Sequence, residues 1–382
     1  MLCRNGKFDN YKALQKMLDK CGIVKITKPG TYLVGKTLKI HSNTKLVLAP
    51  GVKLLAKPFS KCALIQNDCF GKKGERNQNI HIIGGTWDGN CDNMGLDAVY
   101  EALNREDGPY SVDRFKGKLI RFAGVDNITL EKMTVKDPVS YGIQLADVKN
   151  YIVRDMVFDY NHHFGTTDGV HINGPAYCGL VENLFGTTND DMVGVTTIDE
   201  THAEVTVGEI SNLTIKNVTA ENGYSGIRLL SAGGYAIKNT TVSGVYGDYR
   251  HNAVLISHHN TRPNTPIYFD DVVIEKVHAK KSSTPLASDC FTLWEGGINA
   301  MPIVWLEDGI NVGSITLRDI YREETVATTG ALVDINVGVN VDRLVLQNIR
   351  QKLVGDINPP CVLNGADAKT LIVDDVDGYQ KV

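Results

Sequence analysis

A seven-residue segment recurs nine times between residues 127 and 376, and it constrains the fold more than any other feature of the chain. The first copies read Asn127-Ile128-Thr129-Leu130 and Asn150-Tyr151-Ile152-Val153 before they reach a second polar residue. Apolar and polar residues alternate within each copy, which is typical of a half-buried β-strand. The central apolar residues are Leu130, Val153, Val181, Ile215, Ile237, Ile274, Leu317, Leu346 and Val373.

The spacing of these central residues predicts a solenoid. Successive differences in residue number are 23, 28, 34, 22, 37, 43, 29 and 27, so a unit of 22 to 29 residues is sometimes lengthened by an insertion. Such a unit holds short strands that each pair with their copy one coil further on, about 4.8 Å away. A propeller blade needs about 40 residues, and helical repeats need apolar residues three and four apart. The sequence therefore predicts an all-β chain, a single right-handed parallel β-helix over residues 1–382.

The two ends of the repeat array predict separate features. An open stack of coils exposes unpaired strand edges, so a cap is expected. A short amphipathic capping helix is predicted over about residues 9–22, with Asp9 as the N-cap, Leu14, Met17 and Leu18 on its apolar face, and Gly22 as its stop. The repeat pattern fails over about residues 90–117, which predicts a long loop near the functional flank.

Charge and cysteine content limit the classes of partner. Lys and Arg total 40 against 44 Asp and Glu, a formal net charge of -4, so we expect no nucleic-acid partner. The sequence contains no apolar run typical of a membrane span or secretory signal, which leaves the location either cytoplasmic or exported after loss of a leader. The eight cysteines have no metal-ligand spacing, so we expect mostly buried thiols and no metal, with a Cys62–Cys69 pair as the alternative.

The densest polar cluster falls on two successive coils. Asp168 and Asp190 are 22 residues apart, about one coil, so Asp168 is expected beside Asp190 or Asp191. Adjacent strand residues point to opposite faces, which places the Asp190–Asp191 pair at a coil corner. Mutual repulsion raises the pKa of at least one carboxyl, giving a proton donor beside carboxylates that activate water, the arrangement of glycosidases. Turn capping by aspartates is the structural alternative.

These motifs resemble those of polygalacturonase-type glycoside hydrolases, family 28, of the pectin-lyase-like β-helix superfamily. The N-T-D and G-D-D motifs of the family are similar to Thr166-Thr167-Asp168 and Asn189-Asp190-Asp191, and GGTWDGN at residues 84–90 resembles an early coil. The resemblance implies that Asp190 is the general acid, that Asp168 and Asp191 position and deprotonate water, and that the anomeric carbon inverts. It implies no cofactor.

The chain departs from the family at two motifs. Tyr224 stands where the family has the histidine of G-H-G, and no cation occupies residues 253–256, where the family has R-I-K. Arg228 and Arg250 are the predicted substitutes. His171 is expected to point away from Asp168 if both lie on one strand. The predicted substrate-binding residues are His163, His171, His202, Tyr224, Arg228, Arg250 and His258.

The sequence therefore predicts a glycoside hydrolase that acts on a pectin-like or galactose- or uronate-containing glycan. One alternative is a polysaccharide lyase of the same fold, in which the carboxylates hold Ca²⁺. Another is a non-catalytic glycan-binding β-helix of the phage-tail type. The sequence leaves the oligomeric state open, including a trimer.

Overall fold

The computed structural model describes residues 2–95, 117–198, 205–258, 266, 268–284 and 300–382. In these ranges, 26 strands join one continuous hydrogen-bonded sheet, and every recorded strand pairing is parallel. The chain is a parallel β-helix, as the repeat predicts. The part of the predicted 90–117 loop that is described begins with a short 3-10 helix at Cys91–Asn93; residues 96–116 and the predicted substrate contact His202 lie outside the described residues.

The elements follow one another in chain order. The N-terminal part contains β1 Asn5–Asp9, α1 Tyr11–Leu18, β2 Gly22–Ile26, β3 Gly30–Val34, β4 Leu38–Ile40, β5 Thr44–Leu48, β6 Val52–Ala56, β7 Ile65–Asn67, β8 Asn77–Ile83 and β9 Thr86–Asp88. The central part contains β10 Ile120–Glu131, β11 Thr134–Lys136, β12 Ile143–Asp159, β13 Val170–Thr187, β14 Asp191–Ile198, β15 Ile210–Gly223, β16 Ser225–Ser231, β17 Ala236–Tyr249 and β18 Val254–Ser257. The C-terminal part contains β19 Tyr268–Lys281, β20 Val304–Leu306, β21 Asn311–Glu324, β22 Val333–Ile335, β23 Asn340–Leu353, β24 Val362–Asn364, β25 Asp367–Val376 and β26 Tyr379–Lys381.

The central apolar residues of the repeat, apart from Ile237, form one ladder that runs through the core and ends at the exposed Val373. Leu130 pairs with Val153, Val153 with Val181 and Val181 with Ile215, and the ladder extends back through Ile82 and Leu46 to Val24. One assignment was wrong, because Ile215 pairs with Val242 rather than with Ile237. The polar residues that flank Ile237 resemble those of the motif, but Ile237 lies five residues before Val242, the residue that occupies the ladder.

The polar residues at the ends of each repeat segment form the turns at the coil corners. Asn127, Lys132, Asn150 and Asp155 all have positive φ, between 54° and 58°. Asn and Asp adopt this left-handed conformation more readily than most residues. The side chains also stack, since Asn127 Nδ2 donates to Asn79 Oδ1 at 3.0 Å and Asn150 Nδ2 to Asn127 Oδ1 at 3.0 Å. The repeat thus encodes both the strands and the bends between them.

The N-terminal helix α1 is shorter than predicted. It spans Tyr11–Leu18 instead of residues 9–22, because Asp9 ends β1 and Gly22 begins β2. Asp9 still accepts a hydrogen bond from the Tyr11 amide at 2.9 Å, although Asn10 is the N-cap residue. Leu14 and Leu18 are buried in the core cluster, so the helix packs its apolar face where the sequence predicts.

One face of the stack, here called the front sheet, consists of β4, β7, β16, β18, β20, β22, β24 and β26 together with the first residues of β10, β12, β13 and β14. Its residues that point away from the core form a register-matched series, here called the front column. In order along the coils these residues are Lys39, Gln66, Arg121, Gln144, His171, Gly194, Arg228, Leu255 and Trp305.

Two smaller findings concern the membrane and the thiols. In the described ranges no helix has the length and apolar character needed to cross a bilayer. Seven cysteines of those ranges are free thiols, Cys62 and Cys69 among them, and only Cys91 and Cys361 are buried. The expectation of mostly buried thiols was therefore wrong.

Candidate active site

The three predicted catalytic aspartates lie at the corner that leads into the front sheet. Val170 pairs with Val193, a step of 23 residues, so Asp168 is in register with Asp191. The Gly169 amide donates to the Asp191 carbonyl at 2.9 Å, which fixes these coils against each other. Asp190 lies on a bend immediately before β14, so it escapes the alternation of a regular strand. The predicted corner is therefore where Asp190 and Asp191 are brought to the same side.

The three carboxylates form one compact cluster. One oxygen from each of Asp168, Asp190 and Asp191 lies within 4.8 Å of the others, a spacing that also suits a single cation. Asp168 is 3% exposed and Asp191 is 6% exposed, whereas Asp190 is half-buried. Asp190 is therefore the carboxyl that an incoming ligand reaches first.

Burial and like charge together keep the cluster partly protonated. Burial raises the pKa of Asp168 and of Asp190 well above the ordinary value, and it also raises that of Asp191. The charge of Asp191 raises the pKa of Asp168 further, and the charges of Asp168 and Asp191 together raise that of Asp190. The Arg228 cation opposes these shifts at all three carboxyls. The cluster can thus hold a proton at a pH where an exposed aspartate is ionised.

His171 contacts the cluster directly, contrary to the expectation that it points away. Its Nδ1 lies 2.5 Å from Asp168 Oδ2, and both side chains are buried. The alternation argument failed because Asp168 precedes β13, which begins only at Val170, so the two residues do not share a strand. Asn173 Nδ2 lies 3.3 Å from His171 Nε2, and Tyr141 stacks on the imidazole at 4.1 Å between ring centres. The histidine therefore has a fixed orientation toward Asp168.

Gly194 supplies the space for this arrangement. It follows His171 in the front column, and a Cβ at its position would lie 3.0 Å from Asp168 Oδ2 and 3.1 Å from His171 Nδ1. The same Cβ would lie 3.7 Å from Asp191 Oδ2. The missing side chain leaves the Asp168–His171 contact undisturbed.

Arg250 supports the aspartate bend from beneath. It is 1% exposed, and its guanidinium donates to the Asn222 carbonyl and, at 2.5 Å, to Asn189 Oδ1. Asn189 in turn donates from Nδ2 to the Phe164 carbonyl at 2.8 Å. Arg250 was predicted to bind substrate, but its buried contacts support a positioning role for the residue next to Asp190.

Two other predicted contacts flank the cluster on the C-terminal side. Arg228 is half-buried, and its Nε donates to Ser257 Oγ at 2.9 Å. Tyr224 is 5% exposed and stacks on His251 at 5.0 Å between ring centres. Burial lowers the pKa of His251 well below its ordinary value, and the charges of Lys281 and Arg228 add to this shift. His251 is therefore neutral beside the site.

Two other predicted histidines contact groups outside the carboxylate cluster. The ring of His258 donates from Nε2 to the Asp308 carbonyl at 2.7 Å, and its amide donates to Glu307 Oε2 at 2.6 Å. His163 is exposed, with its Nδ1 2.7 Å from Asp92 Oδ1. Their roles as sugar contacts remain predictions.

Sequence reasoning missed three charged or aromatic residues, of which Tyr141 and Lys118 lie near the cluster and Glu307 lies beside His258. Tyr141 and Lys118 occupy the same corner one and two coils before Asp168, and Lys118 Nζ lies 4.4 Å from the centre of the Tyr141 ring. Counting back from the repeat would have found them: Lys118 precedes Leu130 by 12 residues, as Tyr141 precedes Val153. Glu307, whose pKa is raised by burial, has no such signal because it follows a long insertion.

Comparison with known proteins identifies the fold. No family model matches the chain, and no curated protein matches it. The endo-xylogalacturonan hydrolase of Aspergillus tubingensis matches with a TM-score of 0.61 and 15% identity, over 100% of this chain and 99% of that one. The chain has the same parallel β-helix fold.

Two further structures share this fold. The family 28 exopolygalacturonase of Yersinia enterocolitica matches with a TM-score of 0.56 and 18% identity, over 100% of this chain and 78% of that one. A tailspike variant of E. coli bacteriophage HK620, solved with a pentasaccharide, matches with a TM-score of 0.61 and 12% identity, over 96% of this chain and 64% of that one. The β-helix therefore has hydrolase and tailspike examples among its neighbours.

Proposed function

We propose that this chain is a glycoside hydrolase that cleaves an O-glycosidic bond of a polysaccharide or oligosaccharide. One observation carries the proposal: a half-buried carboxyl of raised pKa, Asp190, stands in front of two buried carboxyls within 4.8 Å. A protonated acid beside ionised carboxylates is what hydrolysis of a glycosidic bond requires.

Each carboxyl has a separate task in the proposed reaction. Asp190 gives its proton to the glycosidic oxygen as the bond from that oxygen to the anomeric carbon breaks. Asp168 and Asp191 orient a water molecule and accept its proton as the water oxygen bonds to the anomeric carbon. His171 holds Asp168 Oδ2, so it fixes the direction in which the other oxygen of that carboxylate points.

We propose inversion at the anomeric carbon because water can reach the two buried carboxylates, whereas a sugar ring cannot. Because the nearest oxygens of the three carboxyls lie within 4.8 Å of one another, the cluster is compact enough to suit a retaining pair as well. A retaining nucleophile must itself reach the sugar carbon, however, and Asp168 and Asp191 are 3% and 6% exposed. A water molecule can approach carboxylates that a sugar ring cannot.

The neighbouring structures support a glycan as the ligand. Two of them are named as hydrolases of galacturonan-type polymers, and a third holds a pentasaccharide. We propose the same broad class here, a pectin-like or galactose- or uronate-containing glycan.

The test is a glycan screen followed by proton NMR of the first product. Hydrolysis that yields the anomer opposite to the substrate linkage is the expected result. A product of retained configuration would refute inversion, and no hydrolysis of any pectic, galactan or host-type glycan would refute the enzyme assignment.

Two alternatives have distinct outcomes in the same screen. The carboxylate cluster also suits Ca²⁺, as a polysaccharide lyase would need, and a lyase product carries a double bond that absorbs in the ultraviolet. A non-catalytic glycan-binding β-helix, favoured by the tailspike likeness, would bind an oligosaccharide and leave it intact over long incubation.

A further inference from the structure

The first and last strands of one ladder have unpaired edges at opposite ends of the β-helix. This ladder, which follows the central apolar residues of the repeat, begins at Val24 of β2 and ends at Val373 of β25. In the described ranges, β2 pairs only with β5 and β25 only with β23, so each keeps one edge with no neighbouring strand. The backbone amides and carbonyls of such an edge can pair with a strand of another chain.

The C-terminal edge exposes apolar residues whose counterparts in the preceding coil are buried. Leu344 and Leu346 of β23 are 0% exposed, whereas their ladder partners Leu371 and Val373 of β25 are 40% and 41% exposed. Ile372 lies between these two partners on the opposite face of the strand and is also 40% exposed. An exposed apolar edge strand is a site at which another chain adds to the sheet.

The N-terminal end has an exposed apolar residue on the corresponding strand. Ile23 of β2 is 68% exposed. Helix α1 blocks the edge of β4, because Gln15 Nε2 donates to the Lys39 carbonyl at 2.9 Å and Gln15 Oε1 accepts from the Lys39 amide at 2.8 Å. Pairing with another chain at this end therefore involves β2 rather than β4.

The two ends of the β-helix carry opposite charge. Residues 1–30 contain seven cations and two acids, whereas residues 367–382 contain four acids and two lysines. All seven cations are exposed: Arg4, Lys7, Lys12, Lys16, Lys20, Lys25 and Lys28. Two N-terminal ends or two C-terminal ends therefore repel each other, whereas an N-terminal end attracts a C-terminal end.

The outward-facing column beside the core ladder shows how successive coils pair their charges. Three ion pairs join residues one coil apart in this column: Glu131 with Arg154, Glu182 with Lys216, and Glu275 with Arg318. The column begins at Lys25 and ends at Asp374. Asp374 accepts a hydrogen bond from Gln347 Nε2 at 3.0 Å, but neither terminal residue has an ion-pair partner in the described part of the chain. The column thus has an unpaired cation at one end and an unpaired acid at the other.

We propose that copies of this chain associate head to tail, with β2 of one copy pairing in parallel with β25 of another. Continuation of the core ladder sets the register, which places three residues of β2 beside three of β25: Ile23 beside Ile372, Val24 beside Val373, and Lys25 beside Asp374. The joint then repeats the contacts that hold successive coils together within one copy. Because the two surfaces differ, each added copy presents a new free end, and the assembly grows instead of closing as a dimer.

Two variants, each blocked at one end, test the direction of the contact by sedimentation velocity. Ile23→Asp places a charge on the edge of β2, and Ile372→Asp places one on the edge of β25; both side chains are exposed, so the fold should be preserved. The unaltered chain should increase in mass beyond a dimer as its concentration rises, and each variant alone should stay monomeric. An equal mixture of the two should form a dimer and nothing larger, since each variant keeps one functional edge.

Every other pattern of masses overturns the proposal. Dimers of Ile23→Asp alone would show a contact between two C-terminal ends, and dimers of Ile372→Asp alone would show a contact between two N-terminal ends. An unaltered chain that stays monomeric at every concentration would show that its ends do not pair. Association of all variants alike would show non-specific aggregation.

Exchange of the two terminal charges tests the register. Lys25→Glu and Asp374→Lys should each weaken the association by about 3- to 10-fold, as expected for an exposed ion pair replaced by like charges. A chain that carries both substitutions should recover most of the loss, because opposite charges again face each other across the joint. Lys280→Glu, a change at an exposed lysine of β19, is the matched control and should have no effect. No recovery in the double variant, or an equal loss in the control, would overturn the proposed register.

Discussion

Replacing Asp190 by Asn should have opposite effects on activity and on stability. The carboxyl of half-buried Asp190 has a raised pKa because desolvation disfavours its charged form and because the charges of Asp168 and Asp191 repel its own. An amide of similar shape cannot donate the catalytic proton, but it also carries no charge for those neighbours to repel. We therefore expect a slower enzyme in a more stable fold.

The sign of the stability change follows from proton linkage. An unfolded aspartate ionises near pH 4, whereas folded Asp190 keeps its proton to higher pH, so the native state loses stability as the pH rises from about 4 through the raised pKa. Asp190→Asn removes this loss. The gain should be absent near pH 3.5 and fully present above the folded pKa.

The size of the gain can be estimated. Each unit by which the pKa is raised corresponds to about 1.4 kcal/mol in the free energy of unfolding. The unfolding entropy of a 382-residue chain is about 0.8 kcal/mol per kelvin, from roughly 2.1 cal/mol/K per residue. One unit therefore raises the Tm by about 2 °C. The exposed Asp356→Asn is the matched control and should leave the Tm unchanged at every pH.

The activity assay separates proton donation from other roles of Asp190. Loss of a general acid should lower kcat by about 10²- to 10⁴-fold on a natural glycan. A nitrophenyl glycoside of the same sugar needs little protonation of its leaving group, so its hydrolysis should fall far less. Equal losses on both substrates would refute the general-acid role, and a lowered Tm at pH 7 would refute the electrostatic argument.

Three further predictions concern the surroundings of the aspartates. Gly194→Ala should lower kcat and reduce the free energy of unfolding in urea by about 1–3 kcal/mol, because the added Cβ would lie 3.0 Å from Asp168 Oδ2 and 3.1 Å from His171 Nδ1. An unaltered kcat would show that the Asp168–His171 contact tolerates displacement. His171→Gln should lower kcat with little change in KM, since the histidine orients a carboxylate that binds water rather than sugar; a rise in KM alone would make it a substrate contact. Arg250→Met should reduce the free energy of unfolding by about 2–4 kcal/mol, because it removes the guanidinium that donates to the Asn222 carbonyl and to buried Asn189 Oδ1. Denaturation midpoints at a common slope check this value, and an unchanged midpoint would contradict it.

The fold could be predicted from the sequence because each coil repeats the same pattern of strand and turn residues. Alternation around Leu130, Val153 and Val181 specifies a strand with one buried side, and the Asn or Asp residues between strands specify the bends. The failure at Ile237 shows the limit of this reading. A polar–apolar pattern fits two registers, and only the packing of Val242 against Ile215 selects one.

The candidate site could be predicted only in part, because the coil period of the solenoid brings residues together without fixing their contacts. The sequence by itself determined that Asp168, Asp190 and Asp191 lie about one coil apart, since one period of the repeat brings them together. Only the tertiary structure decided that His171 contacts Asp168, that Gly194 leaves room for that contact, and that Arg250 lies buried beneath Asn189. These relations depend on where each strand begins and on which side chain fills the corner between coils. A coil period determines which residues are neighbours, whereas the packing at each corner determines which atoms of those neighbours meet.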